Sequence, residues 1–264
     1  MNAQPRFSVI ICSIDAWKFT QARLCYERLL AGWPHEIIGI HDAASLAEGY
    51  NRGISRSRGD ILIFSHDDIL IIDPDFAAKI SARMQTWAIL GFAGTDRLIA
   101  DFWFGAGLPH LHGVVAHPGG THFKLSVFGV SDWPVIGNIQ AVDGMCMIAR
   151  RETAEATGFD AFTFDGFHLY DLDFSFAAHR AGHEIGVCCD IPVFHASTGD
   201  FDRKHQQYAE RLLAKYTELK ETPPEQIHRE IAGRDALFRD HRAVIAAWRP
   251  DVLQRVGTAI RRYA

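Results

Sequence analysis

The sequence predicts an α/β protein with a mainly parallel central sheet and helices on both faces. Three short apolar runs carry the first part of that expectation: "FSVIIC" at 7–12, "EIIGIH" at 36–41 and the stretch 60–65. Their length and β-branched content suit strands buried on both faces. Between them lie segments whose apolar residues recur at helical spacing. The alternation β-α-β-α-β-α-β through the first hundred residues implies strands running in one direction, each joined to the next by a covering helix.

Each element has its own signal. After 7–12, Ala22, Cys25, Tyr26, Leu29 and Leu30 mark one face of a helix, and Gly32 is its expected stop. Ser45 with Glu48 three residues on forms a capping box for the second helix. Asp73 and Pro74 are the expected cap and first-turn pair of a third, whose buried stripe is Phe76, Ile80, Met84 and Trp87. "AILGFAG" at 88–94 reads as the fourth strand. From 95 to 141 periodicity fails, and this Gly-, His- and aromatic-rich stretch reads as short strands and loops inserted beside the main sheet. "AVDGMCMIA" at 141–149 returns to strand pattern, and 150–158 reads as a short helix ended by Gly158. The segment 167–182 is a helix apolar all round, hence buried, and 184–195 closes the fold as a strand. After about 200 the chain becomes polar and helical, with Pro223–Pro224 as a break. The expected division is therefore 1–200, in halves 1–100 and 101–200, followed by a helical extension over 201–264.

Composition narrows the function. The 264 residues are 48% hydrophobic, enough for a sizeable core, and the net charge of -5 argues against broad nucleic-acid binding. Five cysteines without a CxxC pair fit small buried residues in a reducing compartment. The N-terminal stretch has no long apolar run and no segment matches a membrane span, so the expected location is cytoplasmic.

In open sheets of this kind ligands bind beyond the carboxyl ends of the strands. Asp15, Asp42 and the cluster His66, Asp67 and Asp68 all follow strand ends and should share one rim. A hard divalent cation takes carboxylate oxygens, and Mn²⁺ also accepts imidazole. Asp68, with Asp67 or His66 beside it, is a candidate for such an ion, and His195 closes another strand. Neither GxGxxG nor GxxxxGK[ST] occurs, which removes the dinucleotide fingerprint and the P-loop.

Three segments taken in order, "AEGYNRGISRSRGDILIFSHDDI", "VDGMCMIARRETAEATGFDAF" and "FHLYDLDFSFAAHRAGHEIGVCCDIPVFH", resemble inverting glycosyltransferases of the GT-A fold, family 2, over about residues 7–200. The resemblance implies a nucleotide-diphosphate-sugar donor, UDP-linked by default, and a divalent metal, Mn²⁺ or Mg²⁺. It implies Asp68 as the last Asp of a DxD-type motif and His195 as the later metal-binding histidine. His66 stands where the family has the first Asp of that motif, a departure. It implies Asp171, in "YDLD", as the general base. Residues two apart on a helix point about 200° apart, so only one of Asp171 and Asp173 can face the crevice. Donor contacts are implied for Asp15, Asp42, Asn51, Asp60, Asp67, Asp143 and Gly144, with Arg56 or Arg58 near the departing diphosphate. The acceptor class stays open among saccharide, lipid-linked and protein hydroxyls, and homo-oligomerisation is open too.

Two other readings remain, one without catalysis and one a second enzyme. One is a nucleotide-sugar and metal-binding module without catalysis. The other is a zinc hydrolase built from His110, His112, His117 and His122, although no HExxH accompanies them. At the C-terminus Val252, Leu253, Val256 and Ile260 form a stripe near Arg255, Arg261 and Arg262. Such a helix can seat on an anionic membrane, at its inner face here, or pack on its own domain.

Overall fold

The structure, a computed structural model, describes residues 4–119, 122–128, 131–197, 203–221 and 250–263, together with 243 and 246. The expected α/β architecture is present, built on two sheets rather than one. The first carries β1 (Phe7–Cys12), β2 (His35–Ile40), β3 (Ile61–Ser65), β5 (Ile89–Gly91), β9 (Val135–Ile136), β11 (Cys146–Arg150) and β12 (Ile185–Cys188), in the order β2-β1-β3-β11-β5-β12-β9. β1, β2, β3, β5 and β12 run in one direction, with β11 and β9 against them. The second sheet orders β10 (Ala141–Val142), β6 (Ala93–Thr95), β7 (Leu111–Gly119), β13 (Val193–His195) and β4 (Ile69–Ile71), with β8 (His122–Val127) on β7.

Alternating side chains of β3 assign the helices to faces. Ser65 accepts a hydrogen bond from Tyr26 of α1 (Ala16–Leu29), 2.9 Å away, and Tyr26 also meets Phe76 of α3 (Phe76–Arg83) edge-on. Phe64, on the other face, packs on Tyr50 of α2 (Leu46–Arg56) and on Phe174 of α5 (Tyr170–Arg180), beside α4 (Arg151–Thr157). The main core fills both spaces.

Several boundaries differ from the sequence reading, each for a local reason. The segments 88–94, 141–149 and 184–195 are not single strands: each breaks where the chain leaves one sheet for the other, at Phe92, at 143–145 and at 189–192. The chain makes the same step at 66–68, between β3 and β4. Helix α1 stops at Leu29, before Gly32 takes its left-handed φ of +83°. Asp73 is not the cap of α3, which is Asp75; its side chain accepts from the Asp75 N–H and pairs with Lys79 and Arg255. Helix α3 ends at Arg83, so Met84 and Trp87 follow it. Helix α5 begins only at Tyr170, because Leu169 holds φ +61°, a left-handed backbone no helix admits.

Beyond the expected boundary near 200, α6 (Arg203–Lys215) packs back on the domain. His205 meets Phe102 face to face, and Tyr216 just after the helix bonds Asp173. Of the two readings of the C-terminal helix α7 (Pro250–Tyr263), packing on its own domain is the one its described side chains follow. Val252 and Val256 are buried against the outer side of the second sheet, with Leu70, Val114 and Phe194, and Arg255 is tied to Asp73. Of the stripe, Val252 and Val256 are thus covered by their own domain, with Leu253 packed beside them. Side chains of Ile260, Arg261 and Arg262, and the Pro223–Pro224 break, lie outside the described residues. Among the described residues no helix is long and apolar enough to cross a membrane.

Candidate active site

A cavity of about 700 Å³ opens at the seam between the two sheets, where the chain crosses at 66–68 and 143–145. β3 and β11 are antiparallel with Ser65 opposite Cys146, so both crossings emerge side by side, and the His66 N–H bonds the Met145 carbonyl at 3.0 Å. β13 pairs with β4 so that His195 stands opposite Ile69, next to Asp68. The topology thus brings together His66, Asp68 and His195, distant in sequence.

Ligand atoms of these three side chains all lie within 4.8 Å of one another, and among the described residues no other such group occurs. His195 Nε2 is 3.3 Å from Asp68 Oδ1 and 2.9 Å from the Ser197 hydroxyl. Burial alone would raise the Asp68 carboxyl; the hydrogen bond and charge of His195, with His66, outweigh it and hold Asp68 below the usual carboxylate range. Burial, then repulsion from His195, lowers the His66 pKa and keeps that imidazole neutral. An ionised carboxylate and a neutral imidazole are the ligand forms a divalent cation requires, and this mixed O/N donor set fits Mn²⁺.

Asp171 lines the same cavity from the first turn of α5. Its Oδ2 accepts the Gly144 N–H at 2.7 Å. Burial, followed by repulsion from Asp143, pushes its pKa up to about 7, against the pull of backbone N–H groups. Asp173 faces elsewhere, as the helical angle requires. It is 2% exposed, 2.7 Å from Lys215 Nζ and 2.8 Å from the Tyr216 hydroxyl. Asp143 accepts from Trp103 Nε1 at 2.9 Å and from the Met145 N–H at 2.8 Å. A Cβ at Gly144 would run into Asp171 Cβ and the Tyr170 hydroxyl, so only glycine fits.

The rim expected from parallel strands is present. Ser13, after β1, donates to Asp67 at 2.5 Å, which ties the ends of β1 and β3 together. Asp15 caps α1 through the Trp17 and Lys18 N–H groups. Asp42 is largely exposed and pairs with Arg52 at 3.0 Å, which lowers its pKa. Two expected donor residues do not reach this rim. Asn51 spends its amide on both backbone groups of Phe159, at 2.7 and 2.9 Å. Asp60 precedes β3, at the opposite end of the strand from the cluster, where it accepts the Arg6 N–H at 2.8 Å.

The four-histidine reading does not assemble either. His110 and His112 both turn to Asp96, at 2.8 and 3.1 Å, and His117 bonds the Ser197 carbonyl at 3.1 Å beside the cavity. The side chain of His122 lies outside the described residues. Sequence reasoning missed Tyr170, Trp103, Asp101, His168 and His205 in the cavity wall. Asp101 and Trp103 lie in the stretch without periodicity, while His168, Tyr170 and His205 lie in helical segments where nothing in the pattern marks them as cavity residues.

Among solved structures the chain is similar to GalNAc-T7 with UDP, GalNAc and Mn²⁺, at TM-score 0.51 and 11% identity, covering 95% of this chain and 58% of that one. It is also similar to the mannosyltransferase PcManGT from Pyrobaculum calidifontis in complex with GDP-Man and Mn²⁺, at TM-score 0.47 and 12% identity, covering 98% of this chain and 87% of that one. The first likeness concerns the fold, the mixed α/β arrangement of GT-A glycosyltransferases. A sequence search among curated proteins gave no match. The profile described as "Glycosyltransferase like family" matches residues 8–216, and with most of the chain covered, both sheets and the seam cavity included, the chain belongs to that glycosyltransferase-like family.

Proposed function

We propose that the chain transfers a sugar from a nucleoside-diphosphate sugar to an acceptor hydroxyl with inversion, and that Asp171 is the general base. The observation that carries this reading is one cavity lined by His66 and His195, of the cluster that includes Asp68, and by the half-buried Asp171 carboxyl with its pKa pushed up to about 7. A base is most effective when its pKa lies near working pH, because it is then both ionised and basic enough to take a proton.

Asp68, His195 and His66 would hold the cation, which when bound offsets negative charge on the departing diphosphate. Asp171 takes the proton of the acceptor hydroxyl as that oxygen attacks the anomeric carbon, from the face opposite the leaving group. The Gly144 N–H holds the carboxylate in place for this. Asp143, fixed by Trp103 and its own turn, is placed to accept from sugar hydroxyls. Asp15, Asp42 and Asp67, on the rim of β1 to β3, are the groups for base and ribose. Asn51 and Asp60 take no part in this reading. UDP-sugars are the first donors to test, and saccharides the first acceptors. The catalytic unit runs through α6, whose His205 forms part of the cavity wall.

The test is turnover of a panel of UDP- and GDP-sugars with Mn²⁺ and saccharide acceptors. Asp171→Asn should lower kcat by about 10²-fold or more with donor affinity little changed. Asp173→Asn should act through stability instead. Comparable kcat losses in both refute Asp171 as base. Full donor binding and no turnover by the unsubstituted chain across all acceptors would favour the binding-module reading.

A further inference from the structure

We propose that Tyr170 is a positioning residue that fixes the tautomer of His66, and so decides which ring nitrogen is offered to a cation. The inference rests on the cation reading above. A carboxylate at this position needs no such partner, since both its oxygens carry lone pairs. A neutral imidazole has one N–H and one lone pair, and which nitrogen carries which depends on its neighbours.

The Tyr170 hydroxyl lies 2.7 Å from His66 Nε2 and 3.2 Å from the Gly144 carbonyl oxygen. A carbonyl oxygen only accepts, and a phenol has a single proton. Both contacts are satisfied in one way: Tyr170 donates to Gly144 and accepts from His66 Nε2–H. Nδ1 is then the only nitrogen of His66 with a free lone pair. The phenol is 3% exposed and wedged among the rings of Tyr50 and Phe159, so water does not compete for it.

The same glycine serves both halves of the site. Its carbonyl takes the Tyr170 proton, and its N–H holds Asp171 Oδ2. Tyr170 and Asp171 are neighbours at the start of α5, set there by the left-handed Leu169. One helix start thereby orients both the imidazole of the cation cluster and the carboxylate.

The test begins with the metal-free full-length chain carrying ¹⁵N-histidine, at pH 8. Long-range ¹H–¹⁵N correlation should show His66 as the Nε2–H tautomer. Tyr170→Phe keeps the ring and removes the hydroxyl; His66 should then populate both tautomers, and calorimetric Mn²⁺ affinity should fall about 10- to 100-fold, as for other groups that orient a metal-binding imidazole. A second pair of variants covers misfolding of the first. His66→Asn puts an amide near the Nδ1 position and His66→Gln near Nε2, so Asn should keep more Mn²⁺ affinity than Gln. An Nδ1–H tautomer in the unsubstituted chain, unchanged tautomer and affinity in Tyr170→Phe, or Gln equalling Asn would overturn the assignment. If the unsubstituted chain binds no Mn²⁺, yet His66 is Nε2–H and loses that preference in Tyr170→Phe, the Tyr170 assignment stands and the cation reading falls.

Discussion

The Asp171 carboxyl, proposed above as the base, is also a local burden on the fold. Folding moves its pKa from an ordinary value near 3.8 to about 7, so the folded chain holds its proton more tightly than the unfolded one. That contribution to stability is fully present below about pH 4 and is lost as pH rises through 7. At pH 8 this difference corresponds to roughly 4 kcal/mol. Asp171→Asn carries no such penalty. Denaturant titration should find it more stable than the parent at pH 8, and close to the parent at pH 4; equal differences at both pH values would contradict the burial. The rate should behave oppositely: kcat of the parent should climb with pH up to a limb near 7, since only the ionised carboxylate accepts a proton. Asp173→Asn gives up the charge pairing with Lys215 while its amide oxygen still accepts from the Tyr216 hydroxyl, and kcat per folded molecule should be little changed. The resemblance, not the helical angle, singled out Asp171; that the two acids face different sides was legible in the sequence. The roles of Asn51 and Asp60 were not: a motif match says nothing of which end of a strand faces the ligand, or whether an amide is already spent on backbone.

Elements follow the same division between what local pattern dictates and what only packing decides. Helices α1, α2 and α4 stand near where spacing and caps put them, because those signals act within a few residues. Sheet changes carry less signal. Phe92 is apolar enough to continue a strand, and only the competing pairing of β6 in the second sheet pulls it away, whereas Asp190 and Pro192 mark the break before β13. Helix α7 shows how an amphipathic stripe fits two environments equally well on sequence alone. Val256 is fully buried against the second sheet, so Val256→Ala should lower unfolding free energy by about 1–3 kcal/mol. A change below 0.3 kcal/mol would mean that the helix does not pack there in solution. Vesicle flotation of the parent chain should show no binding that depends on this residue.

At the scale of the whole molecule, the cavity lies where pieces of both sheets meet, so its ligands should stabilise the entire fold. With Mn²⁺ present throughout, UDP at 100 times its dissociation constant should raise thermal melting by the equivalent of about 2.7 kcal/mol. EDTA should remove most of that gain, and Asp68→Ala and His195→Ala should not show it. A gain from UDP that survives EDTA would remove the cation from donor binding.

The crossings at 66–68 and 143–145 have a consequence for motion. They are the joints through which the two sheets are connected at the cavity. A ligand gripping the side chains of both joints acts as a splint. Amide hydrogens of β4, β6, β10 and β13 should exchange more slowly once Mn²⁺ and UDP are bound, although only β4 and β10 adjoin the joints in sequence. The inner strands β1 and β3, already locked between neighbours, should exchange at unchanged rates.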